Sequence, residues 1–155
     1  MEKINFISAH NEIGKEFFNS GDLERAGFYF LKAMEEEENY ESLFYLGLID
    51  NQDGNYRSAL SFYYRAILIN PDYGNPCNEI GVILLRHGRE REAVFWLKRS
   101  IRCSINDAPH IPLYNLATLY KIWNRPERSL QYLHKAITIA PYFTEAIELR
   151  NQLLT

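Results

Sequence analysis

Apolar residues fall at helical spacing from Leu43 to Pro71, in the stretch LFYLGLIDNQDGNYRSALSFYYRAILINP. Leu43, Leu46, Gly47 and Asp50 share one face of a first helix, and Gly54-Asn55 breaks the run. Ala59, Tyr63 and Ala66 form a second stripe at i, i+4 and i+7, which Asn70-Pro71 ends. The pattern predicts two amphipathic helices joined by a turn.

The same unit recurs along the chain. Gly47 lines up with Gly14, Gly81 and Ala117, at successive offsets of 33, 34 and 36 residues. The turn residue Gly54 matches Gly21, Gly88 and Asn124; Ala59 matches Ala26, Ala93 and Ser129; Tyr63 matches Phe30, Leu97 and Leu133. Ala66 matches Ala33, Ser100 and Ala136, while Pro71 matches Glu38, Ile105 and Pro141. Small residues at fixed places around a central turn, at this period, are a solenoid signature. The spacing resembles the tetratricopeptide repeat family, whose unit keeps small residues at its eighth, twentieth and twenty-seventh positions. The resemblance covers about Ile7 to Pro141 and implies an all-α, right-handed α-solenoid of antiparallel hairpins. A single domain over 1–155 is expected, with repeats near 7–39, 40–73, 74–109 and 110–143 and a capping helix over 143–154.

The small residues have a steric reason: two helices approach closely only where side chains are tiny. Gly47 and Ala59 are expected at the crossing within a repeat and Ala66 where the next repeat packs, with Leu46, Leu60, Tyr63, Ile67 and Ile69 filling the space around them. One hairpin cannot bury such a face alone, so stability comes from stacking neighbours.

Departures from the pattern are informative. In the first helix, Phe6 to Asn19, Glu16 takes the slot held by Ile49, Ile83 and Leu119, and His10 stands where an apolar residue is usual; both mark a polar terminal repeat. Asp22 is a candidate N-cap for Leu23 to Glu36. Pro76 and Pro126 fit first helical turns. The connection Ser104 to Pro112 is longer than its counterparts and is expected to be a plain loop extension. Phe143 to Leu153 reads as a last amphipathic helix, its apolar residues Ile147, Leu149, Leu153 and Leu154.

Charge sharpens the picture. The net charge of -3 argues against non-specific nucleic-acid binding. Glu35-Glu36-Glu37-Glu38 makes the first repeat acidic, while Arg86, Arg89, Arg91, Lys98, Arg99 and Arg102 make the third basic. Most such runs are solvated faces; weak head-to-tail self-association is the sharper expectation, and it would fade with salt. Calcium at the glutamate run is not expected, because consecutive residues at a helix end point in different directions. Cys77 lies in a core slot shared with Leu43 and Leu113, so a buried free thiol is expected. Residues 1–18 carry charges inside each short apolar run, unlike a signal peptide, and no stretch has the length of a membrane span. A soluble cytoplasmic protein without membrane contact is the expectation.

No catalytic or cofactor pattern stands out, and no cofactor is expected. His10, His87, His110 and His134 occupy unrelated slots without metal-ligand spacing; Asp107 with His110 is at best a weak pair. No serine lies in a GxSxG context, and the glycines are explained by crossings and turns. The resemblance implies a concave surface lined by the first helices, whose second, fifth, sixth, ninth, twelfth and thirteenth positions face a ligand. Carried over by register, these slots include Asn11 and Lys15 in repeat one, Phe44, Tyr45, Leu48 and Asn51 in repeat two, Asn78 and Val82 in repeat three, and Tyr114, Asn115 and Thr118 in repeat four. Asparagine amides donate to and accept from a peptide backbone, and the aromatic and aliphatic members suit apolar anchors. Packing between repeats is the plain alternative for Phe44 and Tyr114. Some family members grip a C-terminal carboxylate with lysine, asparagine and arginine; Asn11, Lys15, Tyr45, Asn75 and Glu79 fall in those slots, and Glu79 would repel a carboxylate. The expected function is a non-enzymatic adaptor or scaffold that binds an extended or helical segment of another protein. A chaperone for apolar segments of a secreted or assembling protein, and a self-associating module, are the alternatives.

Overall fold

A computed structural model describes residues 6–155. Among the described residues there are nine helices and no strand beyond one isolated bridge. They are α1 (Phe6–Asn19), α2 (Leu23–Glu36), α3 (Tyr40–Gln52), α4 (Tyr56–Ile69), α5 (Asn75–Arg86), α6 (Glu90–Arg102), α7 (His110–Ile122), α8 (Pro126–Ile139) and α9 (Thr144–Leu154). Consecutive helices pair as hairpins, α1 with α2, α3 with α4, α5 with α6 and α7 with α8. The chain divides into two compact units, 1–71 and 72–155, each holding two hairpins, with α9 packed on α8 in the second. The result is an all-α array of antiparallel helical hairpins.

Each hairpin closes through a residue of positive φ: Gly21 at 83°, Gly54 at 78°, Gly88 at 71° and Asn124 at 52°. Glycine adopts this left-handed region without a Cβ clash, and asparagine is the side chain that tolerates it best. The crossings follow the small-residue rule. A Cβ on Gly47 would stand 2.5 Å from Tyr63 Cε1, one on Gly14 2.8 Å from Phe30 Cε1, and one on Gly81 2.8 Å from Leu97. Phe30, Tyr63, Leu97 and Leu133 are fully buried, as are Ala26, Ala59, Ala93 and Ser129.

In the first unit Ala26, Phe30 and Leu46 form a core, with Phe17, Phe18, Tyr45 and Ile49 against it. Phe30 stacks on Tyr45 at 4.8 Å between centroids. In the second unit Leu97, Leu116 and Tyr120 form one cluster, and Leu113, Ala117, Leu133, Ala136, Ala146 and Leu149 form another that α9 completes. Asp22 caps α2 by accepting from Arg25 N at 3.1 Å, and Asn39 caps α3 by accepting from Ser42 N at 2.9 Å. Glu16 is exposed, as its terminal slot implies. His10 is half-buried against Tyr29, its Nδ1 shielded and without a hydrogen bond among the described residues.

Three expectations need correction. Ile69 is 42% exposed, because α4 ends there and its side chain leaves the packed stripe that Ala66 and Ile67 occupy. Leu154, at the last turn of α9, is exposed as well. The connection after α6 is no idle extension. Gly74 N donates to Ile105 O at 2.7 Å and Ile105 N to Asp72 O at 3.2 Å, forming a parallel bridge between Tyr73 and Ile105. Ser100 Oγ donates to Gly74 O at 2.8 Å, Asn106 Nδ2 to Ser100 O at 3.1 Å, and Asp107 N to Asn75 Oδ1 at 3.0 Å. Gly74 sits so close to this loop that a Cβ would meet Ser100 O at 2.7 Å. The loop thus ties the start of α5 to the end of α6. Cys77 lies fully buried beneath it, and burial pushes its thiol up to about 12, so it stays protonated as a free thiol.

Candidate ligand-binding faces

Each unit has a face on which its first helices adjoin, α1 with α3 and α5 with α7. Polar side chains from the slots singled out in the sequence join the two helices in each unit.

In the first unit Asn11 of α1 is buried, accepting from Ser42 Oγ at 2.6 Å and donating to Asn39 Oδ1 at 3.1 Å. Both ends of its amide are therefore engaged by α3 and its cap. Lys15, one turn further on, pairs with Glu41 at 2.7 Å and with Glu12 at 2.9 Å. Burial works against its charge, but the hydrogen bonds to Glu41 and Glu12 outweigh that and raise its pKa. Phe44 is buried, edge-on to Tyr45 at 5.4 Å. Tyr45, half-buried, also meets Phe18 edge-on at 5.2 Å. Leu48 and Asn51 are half-buried one and two turns along α3, and the Asn51 side-chain oxygen takes no hydrogen bond among the described residues.

In the second unit Asn115 of α7 donates to Asn78 Oδ1 of α5 at 3.0 Å, and Asn78 donates on to Glu79 Oε1 at 3.0 Å. Burial raises the Glu79 carboxyl, while the hydrogen bond from Asn78 and the Arg86 charge pull it down, and the net shift is upward. Val82 is half-buried one turn beyond Asn78. Tyr114 packs edge-on to Phe143 at 5.1 Å, where His110 also meets Phe143, so it props the entry to α9. Thr118 donates back to Tyr114 O at 3.1 Å. Of the eleven residues singled out in the sequence, six lie in the first unit and five in the second. The sequence had placed the amides on these faces but did not reveal that Asn11 and Asn78 spend hydrogen bonds on neighbouring helices. Their partners, Ser42 and Asn115, lie 31 and 37 residues away.

Among the described residues no group of three or more His, Cys, Asp or Glu side chains is placed to hold a metal ion. No helix among them is long and apolar enough to cross a membrane.

Paired helices of similar length, small residues at each crossing and a residue of positive φ closing every hairpin give the described residues a tetratricopeptide-like fold. The tetratricopeptide repeat family model matches residues 7–40. A second family model, that of the Est1 DNA/RNA binding domain, matches residues 59–135. No curated protein matches the sequence. Among solved structures, PilF of Pseudomonas aeruginosa is similar at 17% identity and a TM-score of 0.86, covering 96% of this chain and 68% of that one. PilW, a widely conserved type IV pilus biogenesis factor, is similar at 17% identity and a TM-score of 0.78, over 94% of this chain and 66% of that one. YrrB, a tetratricopeptide-repeat protein with an unusual peptide-binding site, is similar at 21% identity and a TM-score of 0.67, over 96% and 76%. At these identities the likeness is one of fold. The chain spans about two thirds of the length of PilF and PilW.

Proposed function

We propose that the chain is a non-enzymatic scaffold that holds a segment of another protein against the first-helix faces of its units. One observation carries this reading. In both units polar bonds fix the first helices side by side, while Tyr45 and Leu48, or Val82 and Asn115, stay half-buried beside those bonds. Such a face is preorganised, so an incoming segment meets side chains already ordered; the ligand still has to be ordered, and affinity near about micromolar follows. Tyr45 and Leu48 offer apolar contact, and the second amide proton of Asn115 is available to a peptide carbonyl. A carboxylate clamp is not proposed: Tyr45, Asn75 and Glu79 stand in its slots. Glu41 and Glu79 also make these faces a poor match for phosphates, so the partner proposed here is a protein and not a nucleic acid. Its segment is extended or helical.

A photo-reactive phenylalanine at Leu48 or Val82 tests the reading, with one at the exposed Arg57 as control. Cross-links to one partner sequence from Leu48 or Val82 and not from Arg57 are expected. A synthetic peptide of that sequence should then lose at least about tenfold in affinity with Tyr45→Ala, or with Asn78→Ala plus Asn115→Ala. Equal cross-linking from all three positions, or unchanged affinity, refutes it. A second reading, an assembly chaperone, is favoured by the likeness to a pilus biogenesis factor. It predicts that the partner aggregates unless co-expressed.

A further inference from the structure

The side of the second unit formed by α6, α8 and the end of α7 carries a depression unrelated to the first-helix faces. Lys98, Tyr120, Arg128, Gln131, Tyr132 and Lys135 line it, around a volume of about 350 Å³. Tyr120 and Tyr132 stack 5.4 Å apart and within 8° of parallel. The Arg128 guanidinium lies 5.6 Å from the Tyr120 ring centre and the Lys135 ammonium 5.7 Å from that of Tyr132. Cation–π contact holds both cations in place. None of Lys98, Arg128 and Lys135 makes an ion pair among the described residues. Three positive charges, two of them held by aromatic rings, thus share one hollow with no ion pair among the described residues.

The first unit presents the complement. Glu35 to Glu38 are all exposed at the end of α2. Glu35 is paired with Lys32 and Glu38 with Arg65, whereas Glu36 and Glu37 have no ion pair among the described residues. Both stand at a helix C-terminus, where the backbone dipole disfavours negative charge. The imbalance extends to whole units: residues 1–71 hold six Lys and Arg against twelve Asp and Glu, a net of -6, and residues 72–155 hold eleven against eight, a net of +3.

We propose that the depression is a carboxylate-binding site whose occupant is the Glu36–Glu37 corner of a second copy of this chain. The contact is heterologous, joining the second unit of one copy to the first unit of the next, so it propagates head to tail or closes into a ring. It is separate from the first-helix faces and leaves them available to a partner. The depression lies within the stretch similar to the Est1 DNA/RNA binding domain. Yet Tyr120 is buried and the tyrosine stack is flanked by Arg128 and Lys135, so a base finds little open ring to stack on.

Sedimentation velocity of the full chain, over rising concentration at low and at high salt, tests the proposal. Association that grows with concentration at low salt and is lost at high salt is expected. Arg128→Glu with Lys135→Glu, and separately Glu36→Lys with Glu37→Lys, should each weaken it at least about tenfold. Circular dichroism establishes that each variant is folded. An equimolar mixture of the two charge-reversed variants should associate again, since each supplies the surface the other lacks. A monomer at every concentration, association indifferent to either reversal, or failure of the mixture to recover overturns the proposal. So does a monomer that instead binds an oligothymidine strand through Arg128 and Lys135.

Discussion

The two units solve the same crossing with different side chains. In the first, a glycine of one helix lies against an aromatic ring of the other, Gly14 on Phe30 and Gly47 on Tyr63. In the second, the opposing residue is leucine, set on Gly81 in one hairpin and facing Ala117 in the next. An added methyl group on Gly81 would come within 2.8 Å of Leu97, as one on Gly14 would of Phe30, and one on Gly47 within 2.5 Å of Tyr63, so the tyrosine crossing is the tightest. The fourth repeat, with Ala117 across from Leu133, shows the second arrangement already carrying that methyl. The joints differ too. In the first unit Asn39 caps the short turn between hairpins, while in the second a long loop is laced to the residues before α5.

The largest test of this contrast is Phe30→Ala, expected to cost about 3–5 kcal/mol because the ring is wholly buried and the glycine opposite cannot fill the void. Both tryptophans, Trp96 and Trp123, lie in the second unit. Urea unfolding should therefore move the circular dichroism midpoint further than the tryptophan fluorescence midpoint; equal shifts would make the two units one cooperative block. Next in size is Gly47→Ala, at about 2–3 kcal/mol, against about 1 kcal/mol for Gly81→Ala. Adding Tyr63→Leu to Gly47→Ala rebuilds the pairing of the fourth repeat, and a double-mutant cycle should show at least about 1 kcal/mol of favourable coupling. Additive costs would mean the ring is not what forbids the methyl. Asn106→Ala should remove about 1–2 kcal/mol by freeing the loop after α6, read from the fluorescence midpoint.

The smallest effect is electrostatic. The Glu79 carboxyl is raised in the folded chain above its ordinary value of 4.5, so the native state holds that proton to higher pH than the unfolded state does. Stability is thus lost as pH rises through that range. Glu79→Gln keeps an acceptor for Asn78 and removes the charge. The variant should be the more stable protein at neutral pH, and its advantage should vanish below pH 4.5. A constant advantage at all pH would point to packing instead.

The helices were legible because their signals are local and repeated. Gly14, Gly47 and Gly81 recur with Ala26, Ala59 and Ala93 in step, and the turn residues fall between them. The loop after α6 was not legible, since Asp72, Gly74 and Asn75 meet it across about thirty residues with no period to announce it. Register named the side on which Asn11 and Asn78 stand, but a neighbour's amide competes for the same hydrogen bonds, and no slot rule counts that competition. The depression beside Arg128 combines α6, α7 and α8, three helices whose lining residues share no repeat position. Ile69 departs from the pattern for the opposite reason: it obeys the stripe until the helix stops.

Every hairpin here reverses direction through one residue of left-handed backbone, three times glycine and once Asn124. The joint is accordingly a standard fitting. Turns exchanged among Gly21, Gly54 and Gly88 should preserve the phase of the helices on either side, and a new hairpin spliced in at such a joint would arrive already facing the right way. A chain assembled on this plan lengthens or shortens by whole modules, with no redesign of the parts it keeps.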